Sequence, residues 1–166
     1  MDYSILNIVL FQPEIPHNTG AVGRTCVGLG AKLWLVRPMG FQITDRNLKR
    51  AGLDYWQFLD WEIVENWEAL REKLPQWDRY FFFTKKASKC YQTINYRSGD
   101  VLVYGCETQG FPDSFHEMYA DQLVRIPIRP QVRSLNLSVS VGVSAFEAMR
   151  QIGFEETENG VNRKTG

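Results

Sequence analysis

Three short stretches of this chain hold polar side chains at spacings that suit chemistry on an anion or a bound ligand. The first is Q-P-E-I-P-H-N-T-G, where Pro13 and Pro16 hold Glu14 and Ile15 extended and Asn18, Thr19 and Gly20 directly precede a candidate helix, Ala21 to Leu29. A helix N-terminus behind a strand and loop favours an anion, because its first turn presents unpaired N–H groups. Arg24, one turn into that helix, can look back toward the loop. Ordinary helix capping by Asn18 and Thr19 is an equal alternative. The second stretch is G-C-E-T-Q-G-F-P, in which Gly105 and Gly110 flank Glu107 and permit close approach of backbone to a ligand. Taken alone, G-x-E-x-x-G is common in turns. The third runs from Ile126 to Asn136, I-P-I-R-P-Q-V-R-S-L-N, and places Arg129, Arg133, Ser134 and Asn136 in a loop after a short apolar strand, kept extended by Pro127 and Pro130.

Other chemistries lack their fingerprints. There is no G-x-G-x-x-G after the first strand, no phosphate loop ending in G-K-[ST], and no G-x-S-x-G. Neither histidine, His17 or His116, has a helical metal-ligand partner, so no metal is expected. Cys26, Cys90 and Cys106 are odd in number and without C-x-x-C spacing, which suggests neither a disulfide framework nor a structural zinc site and suits a reducing cytoplasm.

The elements that must position these residues read as an α/β pattern. Asn7–Phe11 is a continuous apolar run suited to a buried parallel strand. Further strands are expected at Lys32 to Val36, Trp61 to Val64, Arg79 to Phe83 and Val101 to Tyr104. Gly30 should end the first helix, Thr44 or Asp45 should cap a short charged helix ahead of A-G-L-D-Y-W, and Asn66 should cap a helix from Trp67 to Leu74. From Leu135 to Val143 apolar residues alternate with Asn, Ser or Gly, which argues a strand. The continuation F-E-A-M-R-Q and a helical wheel that gathers Ser138, Gly142, Ala145 and Met149 argue a helix instead. We take a helix from Asn136 or Leu137 to Gln151, capped by Asn136 or Ser134 and buried on several sides. In an open parallel sheet, ligands sit beyond the carboxyl ends of strands, so the residues following Phe83, Tyr104 and Ile128 should share one crevice.

With 166 residues, 44% of them hydrophobic, the chain suits one domain, 1–154, followed by a polar C-terminal tail, 155–166. Its formal charge is zero, so the balance as a whole does not announce a nucleic-acid binder. Basic residues are nevertheless grouped locally, as at Lys85, Lys86 and Lys89, and at Arg125, Arg129 and Arg133. No long apolar stretch or signal peptide is evident, and no membrane association is expected.

The three stretches also carry a resemblance. P-E-I-P-x-N-T-G-x-x-x-R-x-C, at Pro13, Glu14, Ile15, Pro16, Asn18, Thr19, Gly20, Arg24 and Cys26, resembles the first motif of the ribose 2'-O-methyltransferase branch of the SPOUT superfamily. G-x-E-x-x-G-[LF]-P, at Gly105, Glu107, Gly110, Phe111 and Pro112, is similar to the second, and R-S-L-N-L-S-V followed by E-A-M-R-Q to the third. Together they span residues 7 to 151 and resemble most the small tRNA wobble-ribose methyltransferases of the TrmL (YibK-like) type. Cys106 and Phe146 depart from that pattern, standing where proline or serine and tyrosine are usual.

The resemblance implies a mostly parallel sheet flanked by helices with a deep C-terminal trefoil knot, S-adenosylmethionine as cofactor, tRNA as substrate and a homodimer. It implies catalytic roles for Arg24, Asn18, Glu107, Ser134 and Asn136. It implies cofactor contacts from Phe82, Thr84, Gly105, Gly110, Ile126, Ser134 and Leu135. Methylation at another RNA site, or RNA binding without catalysis, are the alternatives on the same fold. A flavodoxin-like module would need a phosphate loop after Phe11, for which P-E-I-P-H-N-T-G has too few glycines.

Overall fold

Leu6–Phe11 forms the first strand, β1, and is buried along its whole length, as a run of L-N-I-V-L-F demands when both faces of a sheet are covered. The computed structural model describes residues 4–44, 46, 54–157 and 160–163. Most of the expected charged helix after Thr44 or Asp45, and the start of A-G-L-D-Y-W, lie outside them.

In chain order the principal elements are β1, α1 (Pro16–Leu29), β2 (Lys32–Val36), a 3-10 turn (Asp54–Phe58), β3 (Trp61–Val64), α2 (Trp67–Lys73), β4 (Tyr80–Phe83), β5 (Asp100–Tyr104), α3 (Asp113–Met118), β6 (Leu123–Val124) and α4 (Leu137–Ile152). Six strands pair in the order β3-β2-β1-β5-β4-β6, every pair parallel. The expected α/β architecture with a parallel sheet is therefore observed.

Strand alternation divides the core in two. Leu6, Ile8 and Leu10 face a layer with Val22, Cys26 and Leu29 of α1 and Val141, Ala145, Ala148 and Met149 of α4. Val9 and Phe11 face the other layer, with Trp67 and Leu70 of α2 and Phe115 of α3. Asn7, the polar residue in the buried strand, is satisfied on both sides of its amide: Oδ1 accepts from Trp34 Nε1 at 3.0 Å and Nδ2 donates to the Gly99 carbonyl at 3.2 Å.

Several boundaries differ from expectation. Helix α1 starts at Pro16, five residues before Ala21, because proline's fixed φ suits the first helical position. Asn18, Thr19 and Gly20 therefore lie inside the helix, and the cap, Ile15, makes no side-chain bond. At the other end Gly30 adopts φ 69°, the left-handed conformation expected of it. Strand β6 ends at Val124, so I-P-I is not strand; Pro127 has no N–H to give a ladder.

Helix α4 matches its expected span, and Asn136 is its cap, accepting from the N–H groups of Ser138 and Val139. It is not buried on several sides. Its small residues Ser144, Ala145 and Ala148 face inward, while Val139, Val143 and Phe146 stand 49%, 37% and 50% exposed. Beyond it, Phe154–Thr157 and Gly160–Arg163 pair antiparallel, so the polar tail contains a hairpin.

Candidate active site

Strands β4 and β5 end side by side at Phe83 and Tyr104, and Val124 of β6 pairs with Phe83. The loops that leave these carboxyl ends enclose a cleft of about 780 Å³, as strand polarity predicts for a parallel sheet. Among its lining are the stacked rings of Phe83 and Tyr104, 4.9 Å apart and 15° from parallel. The Tyr104 hydroxyl is 2.5 Å from Ser144 Oγ, and Ser144 gives its own proton to the Ser140 carbonyl at 2.6 Å. Tyr104 is therefore the donor of the pair, and burial pushes its phenol well above the usual range, so it stays neutral.

The G-x-E-x-x-G stretch folds back on itself. Cys106 and Gly110 exchange backbone hydrogen bonds of 3.3 and 3.0 Å, and Gly110 has φ 66°. A Cβ on Gly105 would lie 2.5 Å from the Gly110 carbonyl carbon. The first glycine is thus required by the closure of its own hairpin, and the second by its positive φ, rather than either by a ligand's approach.

This hairpin clasps the first motif. Glu107 Oε2 accepts the N–H of Glu14 at 2.7 Å and of Ile15 at 3.2 Å, and the Thr108 hydroxyl donates to Glu14 Oε1 at 2.8 Å. The start of α1 therefore receives a carboxylate from within the protein. Glu107 is among the residues that line the cleft, and its Oε1 is buried without a hydrogen-bond partner.

The third motif is tied in by one amide pair. Asn136 spends its Oδ1 on the cap of α4 and donates through Nδ2 to Asn18 Oδ1 at 3.1 Å. On the opposite wall, Thr84 Oγ lies 3.0 Å from His116 Nε2 while His116 Nδ1 lies 3.3 Å from the Pro112 carbonyl. A carbonyl can only accept, so Nδ1 carries the proton and Thr84 donates to Nε2. Thr84 in turn accepts from Lys86 N–H at 3.3 Å.

Of the residues anticipated from sequence, the cleft brings together Asn18, Thr84, Gly105, Glu107, Gly110, Ile126, Ser134, Leu135 and Asn136. Phe82 is a correction: it is fully buried on the other sheet face, stacked on Tyr119 at 4.3 Å, and Phe83 takes its place. Adjacent strand residues point to opposite faces, and an unbroken Y-F-F-F run conceals which parity faces the site. Arg24 also lies outside the cleft, exposed on α1, six residues or roughly 9 Å along the helix axis from Asn18. Lys85, Lys86 and Arg133, which follow Phe83 and Ile128 and were expected at the crevice without an assigned role, line the cleft, as does His116, which was not expected there. The basic clusters held a signal for the first three; nothing in the sequence singled out His116.

Among the described residues no group of three or more His, Cys, Asp or Glu side chains is gathered that could hold a metal ion.

A model of the SpoU rRNA Methylase family matches residues 5–146. The chain belongs to that family. Its relatives include a tRNA (cytidine(34)-2'-O)-methyltransferase from Methylovorus glucosotrophus, 45% identical over 151 residues that cover 90% of this chain and 97% of the relative. Among solved structures, a putative RNA methyltransferase from Bacillus anthracis is similar to this chain with a TM-score of 0.84 at 41% identity, covering 88% of this chain and 93% of that one. A second, solved for insight into 2-OH methylation of C/U34 on tRNA, has a TM-score of 0.81 at 44% identity and covers 88% and 95%. The SPOUT resemblance read from the three motifs is thereby borne out.

Proposed function

We propose that this SpoU-family chain transfers a methyl group from S-adenosylmethionine to the ribose 2'-hydroxyl of cytidine or uridine at the first anticodon position of tRNA. The observation that carries the reading is the convergence of all three motifs on one cleft at the carboxyl ends of β4 and β5. Similarity to relatives named for the cytidine 34 reaction favours the wobble position over other RNA sites.

The residues present fit the cofactor. A cleft of about 780 Å³ suits a ligand of nucleoside size. The stacked Phe83 and Tyr104 rings, with Ile126 and Leu135, offer apolar cover, and the buried, unpartnered Glu107 Oε1 offers an acceptor to an ammonium. Gly105, Gly110 and Ser134 would hold it through backbone and hydroxyl groups, beside Thr84. When bound, S-adenosylmethionine supplies an electrophilic methyl group on a sulfonium.

The chain's own residues must align the ribose hydroxyl and ease loss of its proton. Arg24 cannot serve as a literal base, since a guanidinium scarcely deprotonates in a protein. In this reading it grips an RNA phosphate and lowers the effective pKa of the hydroxyl, while Asn18, Glu107, Ser134 and Asn136 organise the site. Because Arg24 stands outside its own cleft, the reading includes a homodimer in which one protomer's Arg24 completes its partner's site. The exposed stripe of Val139, Val143 and Phe146 supports such an interface. The C-terminal trefoil knot and a cytoplasmic setting belong to the same proposal; no helix among the described residues is long and apolar enough to cross a membrane.

The test is single-turnover methylation of a tRNA transcript in the presence of chelator, with the modified nucleoside identified by mass spectrometry. The expected product is 2'-O-methylcytidine or 2'-O-methyluridine at the wobble position. A methylated base, a ribose elsewhere in the chain, or strict dependence on a divalent metal would each overturn the reading.

A further inference from the structure

The 3-10 turn Asp54–Phe58 lies against α1 at the level of Arg24, and its contacts are specific. The Tyr55 hydroxyl donates to the Gly20 carbonyl at 2.5 Å. That is the carbonyl which the helical ladder pairs with the N–H of Arg24, four residues on. The Arg24 guanidinium carbon lies 5.4 Å from the centre of the Tyr55 ring. One residue away, a Cβ on Gly23 would meet Trp56 Cζ3 at 2.8 Å and Leu59 Cδ2 at 3.2 Å, so the turn is seated as closely as the helix permits. No ion pair holds Arg24 among the described residues.

We infer that Tyr55 is a positioning residue for Arg24: its ring, anchored by the hydroxyl bond to Gly20, holds the exposed guanidinium in one orientation on the surface of α1. An unpaired arginine on a helix surface samples many rotamers, and fixing it at the moment of RNA docking is costly in entropy. A ring face within cation–π distance restricts that freedom beforehand and leaves the N–H fork open for a phosphate. A carboxylate in the same place would hold the arginine too, but it would compete with the RNA for the same donors. An aromatic face therefore suits a guanidinium that must remain available to an anion. The inference rests on the proposed role of Arg24 and adds to it the element that orients the side chain.

The test is a double-mutant cycle read by single-turnover methylation of a tRNA transcript with a wobble cytidine, with cofactor affinity measured in parallel by calorimetry. Tyr55→Leu should lower the rate about tenfold and leave the cofactor dissociation constant within twofold. Tyr55→Phe, which keeps the ring, should stay within about threefold of the unaltered chain. In an Arg24→Ala background, Tyr55→Leu should change the residual rate less than twofold, because the residue it orients is gone. Equal losses in both backgrounds would show that Tyr55 acts through the fold alone and overturn the inference. So would full activity of Tyr55→Leu where Arg24→Ala is slow. Full activity of Arg24→Ala would remove the proposed role of Arg24 and this inference together, and no methylation by the unaltered chain would remove the functional reading as well; either appears without any Tyr55 variant. Should Tyr55→Leu not fold, Tyr55→Met, whose longer, unbranched side chain reaches further along the space of the ring, takes its place with the same expectations.

Discussion

Arg24 and Ser134 divide the proposed chemistry between two places, one on the surface of α1 and one in the cleft. Arg24→Ala should leave cofactor affinity within a few-fold and lower single-turnover rate by roughly two orders of magnitude. Arg24→Lys should recover little, since a point charge does not reproduce a bidentate grip. Ser134→Ala should weaken cofactor binding by about 1 kcal/mol, the usual worth of one neutral hydrogen bond. Calorimetry paired with single-turnover kinetics separates these effects; loss of cofactor binding in Arg24→Ala with turnover kept at saturating cofactor would place the arginine in the cofactor site. Residue types were legible here because carboxamide, carboxylate and guanidinium groups announce polar chemistry at any position. Parity was not: Phe82 and Phe83 differ only in which face of β4 they occupy, and only the packing of Tyr119 against Phe82 decides it.

At the scale of elements, the cleft depends on how loops and caps close. Asn136 both caps α4 and donates to Asn18, so its two functions separate by substitution. Asn136→Ala should cost about 1 kcal/mol in urea unfolding. Asn136→Asp keeps the cap acceptor and loses the donated bond, so its stability should stay near that of the unaltered chain while cofactor affinity falls. Equal stability loss in both variants would contradict that separation. The Gly105–Gly110 hairpin makes a sharper contrast. Gly105→Ala drives a methyl group to 2.5 Å from the Gly110 carbonyl carbon and should weaken cofactor binding tenfold or more. Gly110→Ala meets no atom within 4 Å and bears only the left-handed backbone penalty, about 1–2 kcal/mol of stability. If calorimetry finds Gly105→Ala to bind as tightly as the unaltered chain, the hairpin closure described here does not shape the cleft. The sequence located both glycines, but the partner of Gly105 is another part of the same turn, a contact that spacing alone does not reveal.

The molecule as a whole carries two further expectations. Val139, Val143 and Phe146 recur at positions i, i+4 and i+7 of α4 and form one exposed apolar stripe. Sedimentation at micromolar protein should give a dimer, and Phe146→Glu should shift it toward a 19.2 kDa species; a monomer in the unaltered chain would remove the proposed completion of the site by Arg24. The second expectation concerns alkaline stability. Burial raises the phenols of Tyr80, Tyr96 and Tyr104 above their ordinary value of 10.0. Above that pH the unfolded chain releases protons that the folded chain retains. The stability these groups contribute is therefore fully present below about pH 10 and declines as pH rises further, by about 1.4 kcal/mol per pH unit for each. Tyrosinate absorbance from this buried set should appear together with loss of the far-ultraviolet circular dichroism of the fold. Complete ionisation while the dichroism stays native would show that these phenols are open to solvent.

What the sequence determined by itself was the first five strands, the span of α4 and the three polar stretches, because local propensity and strand periodicity act over a few residues. It also carried the family resemblance, since motif spacing survives without knowledge of what the motifs touch. Only the tertiary structure decided that Glu107 clasps the backbone of Glu14 and Ile15, 93 and 92 residues away in sequence, that Asn136 reaches Asn18 across 118, and that His116 supports Thr84 across 32. It alone started α1 at Pro16, turned Phe82 from the cleft and left Val139, Val143 and Phe146 uncovered. The reason is common to all of these. Which face of an element is buried, and which loops meet, depends on the order in which the strands pair, and no local pattern in the chain encodes that order.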